Sequence, residues 1–211
     1  MFSGHYINWR ETRINVLLKY VPSIYFKSKS ILELGCGYAD IGNEFYKMGA
    51  NITSSDARKE HLDIVNKKYP YIQTKLINAN DKIIENKYDI IIHWGLLYHL
   101  NEIENHLENI SNICNILLLE SEVCDSDNDS YYIDTKEEGY DQAYNLIGIR
   151  PSPSYVEKIL KRNGFEYKLI VDDDLNSDIH CYNWEIKNTK TWKNGMRRFW
   201  ICWKDINSPI I

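Results

Sequence analysis

The stretch Ser30-Ile31-Leu32-Glu33-Leu34-Gly35-Cys36-Gly37-Tyr38-Ala39-Asp40 decides the fold. A short apolar run meets two closely spaced glycines, and helical spacing (Ile41, Phe45, Met48) begins directly afterwards, with Gly49 as the stop. Glycines at that junction let the chain turn sharply from strand to helix and let its backbone approach a ligand. A second strand, residues 51–56, ends in Asp56, 21 positions after Gly35. An acid about 20 residues beyond such a loop is placed to accept hydrogen bonds from ribose hydroxyls. A dinucleotide fingerprint asks for a third glycine where this chain has Asp40, and a carboxylate at a helix N-terminus would repel a pyrophosphate. Glu33, before the first glycine, suits a ligand with a positively charged amino-acid end.

Outward from this loop the pattern alternates. A first helix carries Ile14, Leu17, Leu18 and Val21 and stops at Pro22. A charged helix over 58–68 precedes strands at 75–77 and 88–93. Ile103, Leu107, Ile110 and Ile113 mark the next helix, and 116–120 the fifth strand. Strands written as unbroken apolar runs between helices predict a parallel sheet covered on both faces. Residues 123–150 lose this periodicity, and loops of such length are usually functional. Ser152-Pro153 opens another helix as N-cap and first-turn proline. Strands over 165–171 and 198–203 close the chain around a polar, aromatic insert, 180–196.

With 211 residues, the chain fits a single α/β domain with a cofactor half at about 28–122 and acceptor-site elements at about 123–196. Its net charge of −5 argues against a partner held by nucleic-acid phosphates. Five cysteines (36, 114, 124, 181 and 202), without a CxxC pair, fit reduced thiols in a cytoplasm rather than a disulfide or zinc framework. No apolar run reaches membrane-spanning length and no signal peptide opens the chain, so a cytoplasmic protein is expected. The acidic run 125–129 lacks the glycine and terminal glutamate of a calcium loop, which predicts a solvated loop and no metal.

Residues 31–37, 53–56, 77–81 and 88–100 together resemble the class I S-adenosylmethionine-dependent methyltransferases. The resemblance covers about 28–122 in the right order. It implies a doubly wound, seven-stranded, mostly parallel sheet with the last strand antiparallel. It also implies S-adenosylmethionine as cofactor, with Glu33, Gly35, Cys36 and Gly37 at its methionine part, Asp56 and Ala57 at the ribose, and Asn78-Ala79 at the adenine edge. The family usually has Asp where this chain has Asn78, and the register leaves Asn80 or Asp81 as alternatives. His93 and Trp94 read as walls of the cofactor pocket.

Methyl transfer from a sulfonium asks mainly for alignment, plus a base where the acceptor must lose a proton. Candidate bases are His99, Asp141 and His180. His99, beside Tyr98 as a substrate contact, also reads as a helix-start residue closing over the cofactor. Residues 141–145 and 148–152 fall above the methyl position. Arg150 reads either as a bidentate clamp for an anionic acceptor or as the partner of a loop carboxylate such as Asp141. His180, Tyr182 and Trp184 alternate and so share one face of an extended segment, either an acceptor surface or a packed cover. Arg197 and Arg198, adjacent on a strand, point oppositely, so at most one faces the site.

The leading expectation is O-methylation of a small polar acceptor: a sugar, nucleotide-sugar or phosphorylated metabolite, with surface-polysaccharide biosynthesis as the pathway in view. A protein or nucleic-acid methyltransferase and a silent cofactor-binding module are the alternatives. Residues 93–96 (His-Trp-Gly-Leu) lack the Pro-Pro-aromatic signature of DNA amino-methylases. The sequence leaves the oligomeric state open.

Overall fold

Strand alternation sets which way each apolar side chain points, and the structure sorts them onto two faces. The computed structural model describes residues 5–81, 86–140, 142–192 and 196–204. In chain order the elements are α1 (His5–Tyr20), β1 (Ser30–Leu34), α2 (Asp40–Lys47), β2 (Asn51–Asp56), α3 (Lys59–Lys68), β3 (Gln73–Leu76) and β4 (Tyr88–Trp94). After a 3-10 turn at Leu97–His99 come α4 (Ile103–Ser111), β5 (Cys114–Glu122), β6 (Tyr132–Lys136), β7 (Ile147–Pro151), α5 (Pro153–Arg162), β8 (Glu166–Leu169) and β9 (Arg197–Trp203).

Seven strands form one sheet in the order β3-β2-β1-β4-β5-β9-β8. The first five are parallel, and β9 runs antiparallel to both β5 and β8. This is the sheet expected from the sequence. Ile31, Ile52, Ile90, Ile92 and Ile116 pack on one face with Leu17 of α1, Phe45 of α2 and Val65 of α3. Leu32, Ile91, Leu117 and Leu119 pack on the other with Leu107 of α4 and Leu160 of α5. Strand order reverses between β1 and β4, so their carboxyl ends splay apart and leave a crevice there.

The stretch read as loose, 123–150, contains a second sheet, the hairpin β6–β7, in which Ile133 faces Arg150. Its polar alternation (Tyr132-Ile133-Asp134-Thr135-Lys136) hides it from an apolar-run search. Gly148 permits it: a Cβ there would collide with the Tyr98 carbonyl, so only glycine lets β7 lie against the 3-10 turn.

The acidic run is not simply a solvated loop. Asp125 is buried, and its carboxylate accepts from the backbone of Lys187 (2.7 Å), Asn188 (3.2 Å) and Thr189 (3.1 Å) and from the Thr189 hydroxyl (2.5 Å). It thereby anchors the insert. Ser152 caps α5 as expected, accepting from Tyr155 N. Among the described residues no helix is long and apolar enough to cross a membrane.

Asp125→Ala leaves three backbone donors without that acceptor. The expected outcome is faster amide exchange at 187–189 and a loss of about 1–3 kcal/mol in denaturant unfolding. Unchanged exchange there would show that the insert is held elsewhere.

Candidate functional site

The turn after β1 is built from positive φ angles: +64° at Gly35, +53° at Gly37 and +57° at Ala39, the N-cap of α2. Gly37 N donates to Asp56 Oδ2 (3.0 Å) and Cys36 N to Ser55 O (2.8 Å), so the loop is tied to the end of β2. Asp56 Oδ1 accepts from Arg58 N (2.9 Å), and His61 Nδ1 lies 3.3 Å from Oδ2. The crevice above this loop holds about 1120 Å³ of empty space, part of it open to solvent.

Gly35, Cys36, Gly37, Asp56, Ala57, Asn78, Ala79 and Trp94 all border this cleft. Asn80 borders it too, whereas Asp81 does not. Asn78 Oδ1 caps its own turn by accepting from Asn80 N (3.1 Å).

Two of the expected cofactor contacts are elsewhere. Glu33 points into the layer between β1 and α2, where it accepts from Gly42 N (3.2 Å) and the Ser54 hydroxyl (2.6 Å). His93, on the face opposite Trp94 by strand alternation, is fully buried, with Nε2 2.8 Å from His106 Nε2. His106 Nδ1 lies 2.8 Å from the Ala79 carbonyl and must donate there, so His93 Nε2 is the donor within the pair. Burial and the neighbouring ring push His93 well below its usual range, and burial pushes His106 down to about 4, so both are neutral props behind the adenine-side loop.

Of the acceptor-side residues, Tyr98 and His99 border the cleft, as do Gln142 and Tyr144 from the segment expected above the methyl position. Asp141 lies outside the described residues. Arg150 is a correction: it does not border the cleft and clamps no free anion. It is 3% exposed and lies 2.6 Å from both Glu122 and Glu137, its carboxylate partners among the described residues.

His180, Tyr182 and Trp184 are a second correction, for none borders the cleft. The His180 ring packs 5.6 Å from Tyr6 and 5.9 Å from Trp9. Tyr182 donates to Glu120 Oε1 (3.0 Å), and Trp184 Nε1 donates to Asp173 (3.2 Å). Their shared face meets α1 and the sheet. Arg197 and Arg198 do diverge: Arg197 borders the cleft, while Arg198 donates to the Asn183 and Trp184 carbonyls.

Behind the cleft lies a line of buried charge that no motif announces. Arg13 and Arg197 both meet Glu120, at 3.2 Å and 2.5 Å. Arg197 also pairs with Glu122 (2.8 Å) across the β5–β9 register and donates to the Tyr98 hydroxyl (3.1 Å). Glu122 passes the line to Arg150, Arg150 to Glu137, and Glu137 Oε2 to His99 Nδ1. Burial opposes the charge on Glu120, but Arg197 and Arg13 outweigh it and hold the carboxyl down to about 2.

The sequence reading also missed Tyr6, Trp9 and Arg10, which border the cleft from α1. Their spacing with Arg13 (i, i+3, i+4, i+7) marks one helix face and was the available signal.

The chain matches a family model described as a methyltransferase domain over residues 6–169. No match was found among curated proteins. The N-terminal domain of EvdMO1, solved in the presence of SAH and D-fucose, superposes with a TM-score of 0.69 at 15% identity, over 95% of this chain and 84% of that one. An S-adenosylmethionine dependent methyltransferase from Mesorhizobium loti gives 0.68 at 11% identity, over 91% and 97%. Magnesium protoporphyrin IX methyltransferase from Synechocystis PCC 6803, with bound SAM, gives 0.63 at 13% identity, over 95% and 81%. At these identities the likeness is one of fold.

Glu33 makes the stability of this site depend on pH. Burial outweighs its hydrogen bonds from Ser54 and Gly42 and raises its carboxyl to about 7, from 4.5 in an exposed chain. The folded state therefore binds this proton more tightly, and stability falls as pH rises from about 4.5 to about 7. Glu33→Gln, neutral throughout, is expected to lack a decline of about 3 kcal/mol that the wild type shows between those limits. Equal declines in urea unfolding of the two proteins would reassign that titration.

Proposed function

Because the chain belongs to the methyltransferase-domain family, we propose that it transfers a methyl group from S-adenosylmethionine to an uncharged hydroxyl of a small polar acceptor. The observation that carries this reading is His99, at the cleft wall, with its Nδ1 against the buried carboxylate of Glu137. Its Nε2 makes no hydrogen bond to a described residue and is left to take a proton.

The cleft suits the cofactor on this chain's own features. Positive φ at Gly35 and Gly37 opens the backbone toward a ligand. Glycine suits position 35 because its φ of +64° strains other residues, and a Cβ there would sit 3.0 Å from the Leu96 side chain and push it aside. The Asp56 carboxylate, already used by Gly37 N and Arg58 N, keeps further lone pairs for the ribose hydroxyls. Asn78 and Ala79 border the place of the base. When bound, S-adenosylmethionine supplies an electrophilic methyl carbon whose bond to sulfur breaks as the acceptor oxygen bonds to it. The protein's share is to hold that oxygen in line, exclude water and receive the hydroxyl proton on His99 Nε2.

The electrostatics favour a neutral acceptor over a phosphorylated one. Among the described residues, Arg13, Arg150 and Arg197 of the wall behind His99 are matched by Glu120, Glu122 and Glu137, and Arg58, on the Asp56 side of the cleft, donates to the Gln142 carbonyl. Tyr6, half-buried, borders the α1 side of the cleft, where a sugar ring can pack against it. A sugar hydroxyl also agrees with the likeness to a domain solved with D-fucose. The chain's acidic balance disfavours a nucleic-acid acceptor.

Asp56→Ala is expected to weaken S-adenosylhomocysteine binding at least tenfold by calorimetry, a loss of about 1.4 kcal/mol or more. His99→Asn is expected to lower kcat about a hundredfold on the best neutral sugar of an acceptor panel, with KM little changed. Undiminished binding in the first variant, or wild-type turnover in the second, would refute the corresponding assignment.

A further inference from the structure

Behind His99, away from the cleft, stand Glu137, the residue after β6, and Arg150 on β7. Glu137 is 1% exposed, and its carboxylate is occupied on both oxygens. Oε2 meets His99 Nδ1 and accepts from Ala143 N (3.0 Å); Oε1 accepts from Arg150 Nη2 (2.6 Å). Arg150 is held in turn by Glu122 of β5, donates to the Tyr98 carbonyl (3.1 Å), and lies 4.7 Å and 4.3 Å from the ring centres of Tyr98 and Trp192. Among the described residues, Tyr98 also packs on the imidazole, 4.1 Å away between ring centres, and its hydroxyl accepts from Arg197 of β9.

We propose that Glu137 and Arg150 are paired positioning residues for His99. Glu137 fixes the imidazole with its proton on Nδ1 and its lone pair on Nε2 at the cleft, and Arg150 holds that carboxylate through its other oxygen and offsets its negative charge. The inference deepens the reading of His99 as the base and rests on it.

The physical argument is one of balance. A buried carboxylate alone beside an imidazole orients it but also favours the imidazolium, which has no lone pair left to take a proton. An arginine alone would suppress the imidazolium but leave the ring free to choose either tautomer. Here one carboxylate serves both partners through different oxygens. The positive charge of Arg150 is permanent, so it neutralises Glu137 and disfavours a second cation on His99. Burial works against the charge on Glu137, while His99 and then Arg150 outweigh it and hold the carboxyl below its usual range. The hairpin therefore acts at the cleft through its register: Arg150 opposite Ile133 and Gly148 against Tyr98 bring the pair to the imidazole.

The test reads the imidazole directly by two-bond proton–nitrogen spectra of the full chain labelled at histidine nitrogen, with S-adenosylhomocysteine added. Wild-type His99 is expected as the Nδ1–H tautomer once neutral. Glu137→Gln, which removes the anion and keeps Arg150, is expected to lower the His99 titration midpoint by at least one unit, a tenfold change in proton affinity. Arg150→Met is expected to raise it by at least one unit, and Arg150→Lys to restore the wild-type value. Shifts of opposite sign separate this role from loss of packing, which would move both variants alike. An Nε2–H tautomer in the wild type, or midpoints that move together or not at all, would overturn the proposal. The wild-type tautomer decides the matter even if a variant fails to fold. Calorimetry with S-adenosylhomocysteine on the same samples reports separately on the cofactor reading: absent binding would sink that reading, whereas the tautomer and midpoints judge this one.

Discussion

Seven charged or titratable side chains in a row, Arg13, Glu120, Arg197, Glu122, Arg150, Glu137 and His99, hold the His99 side of the cleft together. They come from α1, β5, β9, the β6–β7 hairpin and the 3-10 turn before α4. Arg13 and Glu120 are both fully buried and lie 107 positions apart in the chain. Removing one partner of a buried pair leaves an uncompensated charge and costs about 3–5 kcal/mol, so Arg13, Glu120 and Arg197 each depend on the others being in place. The row specifies how the elements meet more than it adds to their stability. An apolar filling of the same space would hold the helices as firmly but would leave the hairpin's placement and the His99 ring undefined.

The cofactor side follows a different logic, based on backbone. Parallel strands leave their carboxyl ends together, and the reversal between β1 and β4 separates two of those ends. Into that gap the glycine turn places its amides, and Asp56 fastens the turn to β2 through Gly37 N while facing the cleft. The two halves meet at the end of β4. Trp94 closes the cofactor side against Phe45 and Phe199, and the chain then turns through Tyr98 and His99 to the charged row. The site is thus a backbone cradle facing a side-chain network.

Most of the fold was legible because its signals are local. Apolar runs such as Ile90-Ile91-Ile92 declare a strand covered on both faces, and Ser152-Pro153 declares a helix start. The hairpin was not legible. β6 alternates polar and half-buried residues, and β7 carries both Gly148 and Pro151; their pairing rests on contact with Tyr98 and not on propensity. Alternation was enough to foretell that Arg197 and Arg198 diverge. It was not enough for His180, Tyr182 and Trp184: a shared face is a local property, but the body it meets is not. That face packs toward α1, Glu120 and Asp173.

The amino-acid order alone therefore settled the strands of the main sheet, the glycine turn and the acid 21 positions beyond it, because each depends on neighbours within one or two elements. Tertiary structure alone settled the fate of the charges. Arg150 carries the same positive charge in any sequence reading, and only the packing of β5 and the hairpin around it shows that Glu122 and Glu137 pair with that charge while the Tyr98 carbonyl accepts from it. His99 became a base candidate with a buried carboxylate behind it for the same reason. The field at a buried group is set by whichever charges folding brings within a few ångströms, and chain separation carries no record of that distance.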